Sequence, residues 1–154
     1  MVNKKIAAVF RLCLGLALPC FAGCASFQSQ WDKTLASPRS PDRLAGPWEG
    51  TWRSDSNGHH DELRCLVTKD DGGAYKARFH AKYRKVFTFG YTVPLDVRQT
   101  NDLCYFTGSA NLGWLAGGVY HYDGSASATN FASTYTSKYD HGVFEMTRPA
   151  VAGK

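Results

Sequence analysis

The chain is poor in the patterns that announce chemistry. Its 154 residues hold five cysteines, five histidines and two methionines, with no CxxC, HExxH or GxSxG spacing among them. That leaves no zinc site, metallopeptidase or serine hydrolase written in its usual form. No apolar run is long: the one from Leu12 to Phe21 falls short of the roughly 20 residues that cross a bilayer, and Arg11 interrupts it. No segment carries helical periodicity long enough for a β-α-β unit, which excludes a parallel α/β fold. Apolar residues at 44% and charged residues at 20% are ordinary globular usage, so a disordered, collagen-like or coiled-coil chain is excluded too. The length suits one domain with one core.

The charge is also less than it looks. The formal +5 includes Lys4, Lys5 and Arg11, which sit at the charged start of a leading segment whose apolar run and small residues have the layout of an export signal. Removing those three from the 18 basic residues leaves 15 against 13 acidic, or +2. Nucleic acid is therefore not an expected partner. Phe21-Ala22-Gly23-Cys24 resembles the bacterial lipobox, in which small residues admit a peptidase and the Cys thiol takes a diacylglycerol. The resemblance implies that residues 1–23 are a signal peptide, that Cys24 carries acyl chains such as palmitate, and that the membrane is a partner through this anchor. Ala25, where an Asp would retain the protein in the inner membrane, implies an outer-membrane lipoprotein facing the periplasm. In that oxidising space Cys65 and Cys104 are expected to pair, the alternative being two buried free thiols.

Residues 24–45 have Ser and Pro punctuation and read as a flexible linker, with Trp31 and Leu35 spaced for one helical turn. From residue 46 to 149 the period changes to two. Tyr75, Ala77, Phe79, Ala81 and Tyr83 alternate with Lys76, Arg78, His80, Lys82 and Arg84, as on a strand with one buried and one wet face. Turn signals divide this region into about eight strands: Trp48–Arg53, Asp61–Thr68, Ala74–Arg84, Phe87–Arg98, Leu103–Ala110, Val119–Tyr122, Phe131–Tyr139 and Val143–Arg148. Short connections predict an all-β, antiparallel, up-and-down barrel, with closure removing exposed edges. Residues 150–154 read as a disordered tail.

The opening GPWEGTW and the closing EMTRP resemble the ends of calycin-type barrels, the lipocalin and avidin-like group. The resemblance implies that Trp48 or Trp52 closes the barrel base with Arg148 packed on the indole. The stretches GHHDELRC, LAGGVYHY and STYTSKYDHGVFEMTRP also resemble a bacterial lipoprotein family with which no activity is associated.

Two sites stand out. A barrel of eight strands either fills with side chains or holds one small ligand. Tyr75, Phe79, Tyr83, Phe89, Tyr91 and Tyr135, with Tyr139, are the inward candidates for binding a small amphipathic or lipid-like molecule, and they are equally the candidates for a solid core. The basic stretch Lys76, Arg78, His80, Lys82 and Arg84 suits an anionic polymer or an envelope protein, or it is a solvated outer face. A filled barrel acting through its surface, as a hydrolase inhibitor for example, is the alternative to ligand binding. His59-His60-Asp61-Glu62, His121 with Asp123, and Asp140 with His141 lack metal-ligand spacing, so no metal and no cofactor are expected. Glu49 and Glu145 lie on the first and last strands but carry no sign of acid and base work. The expectation is a monomeric, non-catalytic binding module.

Overall fold

The computed structural model describes residues 19–85 and 87–150. The charged start of the proposed signal, most of its apolar run and residues 151–154 of the expected tail lie outside the described residues. A helix, α1 (Pro19–Ala36), precedes eight strands: β1 (Gly46–Ser54), β2 (His60–Lys69), β3 (Tyr75–Tyr83), β4 (Phe87–Gln99), β5 (Cys104–Asn111), β6 (Val119–Ala126), β7 (Asn130–Thr136) and β8 (His141–Thr147). Each strand pairs antiparallel with its sequence neighbours, and β1 pairs with β8, giving the expected closed up-and-down barrel.

Alternation builds the wall. On β3 the side chains of Tyr75, Ala77, Phe79 and Ala81 are buried while Lys76 is exposed, and on β7 Phe131, Ser133 and Tyr135 are buried between exposed neighbours. A turn forms at Arg84 and Lys85, both left-handed at φ 53° and 60°, where a bend in the long alternating run is expected. The Asp123-Gly124 pair is a correction. It predicts a turn, yet β6 runs straight through it, because this glycine serves close packing: a Cβ on Gly124 would lie 2.5 Å from the Ala132 carbonyl oxygen and 2.6 Å from the Phe106 ring.

The two ends of the barrel differ. At one end the connection from α1, the β2–β3, β4–β5 and β6–β7 turns and the residues after β8 come together. There the Trp48 indole, fully buried, fills the lumen with Leu44, Phe131 and Phe106. Its Nε1 donates to the Leu44 carbonyl at 2.9 Å, and the Arg148 guanidinium lies 3.6 Å from its ring centroid. Arg148 also donates to the carbonyls of Pro47 at 3.2 Å and Arg43 at 2.7 Å, so one side chain stacks on the plug and ties down the chain that leads into it. Burial lowers the Arg148 pKa to about 10, with the nearby Arg39 charge acting in the same sense, and the group stays cationic at neutral pH. Trp52, the other candidate for closure, points to the opposite end, its Nε1 donating to the Lys82 carbonyl at 2.8 Å. Four residues along β1 carry it from the floor to the mouth.

Cys65 on β2 and Cys104 on β5 are both buried and both free. The expected disulfide does not form: the strands are not neighbours, and each thiol is taken up in the packed floor as a small apolar group.

The reading of 24–45 as a loose linker also changes. Only residues 37–45 are irregular. Helix α1 is held on the outside of the barrel by Phe27 and Trp31, which stack at 5.8 Å between centroids and bury Leu66 of β2. The buried i,i+4 pair is thus Phe27 with Trp31, one turn before the expected Trp31 with Leu35, and Leu35 is exposed. Docking supplies what this Ser- and Gln-rich segment lacks in intrinsic amphipathicity.

Two outcomes test this architecture. Gly50 on β1 faces Met146 on β8, and a Cβ there would meet the Glu145 carbonyl oxygen at 2.1 Å and Met146 Cα at 2.7 Å, both backbone. Gly50→Ala should therefore strain the closing seam and lower stability by about 1–3 kcal/mol in urea titration. An alkylating reagent without reductant should label both Cys65 and Cys104 in urea and neither in the native protein, whereas labelling that requires prior reduction would establish a disulfide.

Candidate functional site

The other end of the barrel is open. The β1–β2, β3–β4, β5–β6 and β7–β8 connections surround a cavity of about 650 Å³, within the range of small-molecule sites of roughly 300–1,000 Å³. The lumen is thus divided, with a solid lower half over Trp48 and a hollow upper half.

Strand periodicity positions the walls. Tyr91 of β4, Tyr122 of β6 and Phe144 of β8 line the deep part, and Phe79 lies beneath them, its ring 5.2 Å from Tyr91, 5.9 Å from Tyr122 and 5.4 Å from Phe144. Higher up, Trp52 stacks on Tyr83 at 6.1 Å, and Tyr120 packs against Tyr135 at 5.9 Å. These interlocked rings make a preformed wall, since no ring can rotate without displacing a neighbour.

The polar groups of the lining are mostly neutral: six tyrosine hydroxyls, two indole N–H groups and the Asn57 amide. Burial pushes the phenols of Tyr91, Tyr122 and Tyr135 upward, so they remain O–H groups that can donate and accept. The one carboxylate in the lining belongs to Asp140, and neither lysine nor arginine lines the cavity among the described residues. Asp140 accepts from the buried Ser54 hydroxyl at 2.6 Å and from the Tyr135 hydroxyl at 3.2 Å, which joins the β7–β8 turn to the end of β1. Tyr83 shares a hydrogen bond with His59 Nδ1 at 3.1 Å. The arrangement presents ring surface to an apolar body and hydroxyls to a polar group.

Of the six ring residues singled out from the sequence, Tyr83, Phe89, Tyr91 and Tyr135 line this cavity, as does Tyr139. Tyr75 does not. It is at the closed end, where its hydroxyl donates to Asp42 Oδ2 at 2.6 Å and accepts from Gln99 Nε2 at 2.8 Å. Phe79 is core beneath the cavity floor. Sequence reasoning missed Trp52, Tyr120, Tyr122, Phe144 and Asp140. The alternation Tyr120, Tyr122 carried the same period-two signal as β3, but the supposed turn at Asp123-Gly124 cut the strand short and hid it.

The basic stretch of β3 is not a continuous wet face. Helix α1 lies across its middle: Phe27 stacks on His80 at 4.6 Å, and Arg78 donates to Gln30 Oε1 and Ser26 Oγ, both at 2.7 Å. Lys82 pairs with Glu62 at 2.6 Å, and Arg84 belongs to the turn, over the Tyr83 ring at 5.6 Å. Flat cationic and imidazole groups meet aromatic rings here, so the stretch is a helix dock. The histidines likewise do not converge, and no cluster of three metal-ligating side chains exists among the described residues. Glu49 and Glu145 share a shallow groove on the outer wall with Asn130.

His80 makes the dock sensitive to pH. Burial, then the charges of Arg64, Arg78 and Lys82, lower its pKa below 6.5 in the folded protein. The unfolded or undocked chain therefore binds the proton more readily, so stability should be fully present above pH 6.5 and fall as pH drops through that value. Protection factors of the amides in residues 26–36, taken against the intrinsic exchange rate at each pH, should fall accordingly in the native protein, and His80→Leu should abolish the dependence. No protein family, no curated protein and no solved structure matches this chain.

Proposed function

We propose that the protein is a non-catalytic binding module that holds a small amphipathic or lipid-like molecule in the open half of its barrel, and that it is tethered through Cys24 to the outer membrane on the periplasmic side. The observation that carries the binding reading is the aromatic cavity of about 650 Å³ above a solid floor. A core that needed these rings only for packing would close over them. Here the rings pack against one another and leave the space between them open. An apolar body can lie against Trp52, Tyr91 and Phe144, with a hydroxyl or amine directed to Tyr135 and Asp140. The tether rests on the resemblance of Phe21-Ala22-Gly23-Cys24 to a lipobox.

The cavity is tested by filling it. Ala81 of β3 is buried and lines the cavity, so Ala81→Phe would place a ring in the space without touching the floor. A neutral naphthylamine probe should gain fluorescence with the native chain and bind at least about tenfold more weakly to Ala81→Phe, a change of about 1.4 kcal/mol or more. Native mass spectrometry of the exported protein should show an adduct that denaturation removes. Equal probe binding by both chains, or no probe binding and a bare mass, would refute the reading and leave the outer surface as the working part.

A further inference from the structure

The mouth carries a rim whose rings line the entrance of the cavity and still leave most of their surface uncovered. Trp114 is 85% exposed, Tyr139 68% and Phe87 66%, each on or beside a different connection at this one end. Phe89 and Val119 add exposed apolar surface next to them. Side chains of this size are seldom left so exposed together on one face without a partner.

Cations stand among these rings. Arg84 and Lys85 form the β3–β4 turn, and Lys138 lies 5.2 Å over the Tyr139 ring. Of the acidic groups of the same end, three are held by other side chains, and Asp61 sits on the turn itself beside Lys85, leaving Arg84 and Lys138 without a carboxylate partner among the ion pairs of the described residues. Asp61 accepts the backbone N–H groups of Lys85 at 2.8 Å and Glu62 at 2.9 Å, Glu62 pairs with Lys82, Asp55 pairs with Arg53 at 2.6 Å, and Asp140 is held by Ser54 and Tyr135. Interleaved Trp, Tyr, Phe and basic side chains at one level match a membrane interface, where rings enter the headgroup region and cations meet lipid phosphates. A second copy placed mouth to mouth would set Arg84, Lys85 and Lys138 against their own kind.

We propose that the mouth rim docks on an anionic lipid surface, so that the cavity opens into the headgroup region of the membrane. The opening of a ligand cavity into the headgroup region rests on the binding reading, and the docking of the rim does not.

The test uses the full chain produced with export, in vesicles of phosphatidylethanolamine and phosphatidylglycerol carrying brominated acyl chains. Trp31, Trp48 and Trp52 are buried, so a blue shift and bromine quenching that Trp114→Phe removes would report the rim. Replacing Arg84, Lys85 and Lys138 with Ala should weaken docking by about fivefold per cation, equivalent to about 1 kcal/mol each, while naphthylamine binding without vesicles stays unchanged. Ala81→Phe should show the converse, keeping the quenching and losing the probe. That pair of variants separates failure of docking from failure of the ligand reading. A vesicle-bound chain whose Trp114 emission is unquenched would overturn the proposal. So would absence of vesicle binding, a blue shift that grows with protein concentration without lipid, or loss of quenching in Ala81→Phe.

Discussion

The stacking of Arg148 on Trp48 is the contact on which the rest of the barrel depends. An eight-stranded barrel has a lumen only a few side chains wide, and one indole fills its lower end. The guanidinium covers the plug's outer side and reaches one carbonyl just before the first strand and one at its start, so the last residues of the barrel lock the first ones in place. Three kinds of interaction meet at one side chain: a cation against a ring, hydrogen bonds to two carbonyls, and closure of the β1–β8 seam just above. The half-buried cation is tolerated because its planar group is stacked and also has carbonyl partners.

With the floor made solid, the other end is free to be hollow. Below Phe79 the lumen is filled by Trp48, Phe106, Phe131 and the two buried cysteines. Above it, Tyr91, Tyr122, Tyr135 and Phe144 stand against one another with space between them. The open half is therefore supported from below by packed rings and from the side by the Ser54, Asp140 and Tyr135 hydrogen bonds. That support makes the cavity a shaped site in which ring faces stand beside neutral hydroxyls, which is the physical basis for reading it as the place where an amphipathic molecule is held. Helix α1 is docked outside on β2 and β3, where Phe27 and Trp31 cover Leu66.

Much of this was legible in the residues, and the exceptions share a cause. The alternation along Tyr75 to Tyr83 announced a half-buried strand, and the regular turn signals announced an up-and-down order, because both depend on local spacing alone. Four of the six ring candidates line the cavity for the same reason. Tyr75 and Phe79 have the identical inward register yet sit below it, since register says which side of the wall a residue faces and nothing about its height in the lumen. Trp52 was misplaced by the same ambiguity, being in register with Trp48 and at the opposite end. Gly124 signals a turn and close packing equally well, and only the presence of Phe106 behind it decides between them. The basic face was misread because its cover, Phe27, comes from a segment whose own pattern is too sparse to show a helix.

The sequence by itself determined the all-β alternation, the strand order and the residues able to face inward, since these follow from period two and from what glycine, asparagine and aspartate permit at turns. It also determined the lack of any CxxC, HExxH or GxSxG spacing. Only the tertiary structure decided which end is sealed, that the lumen is half filled and half open, that Cys65 and Cys104 stay apart, and that aromatic and basic side chains from separate connections gather at one rim. Those properties depend on how eight strands are staggered around a closed ring. Stagger brings together residues far apart in the chain, and no local pattern records it.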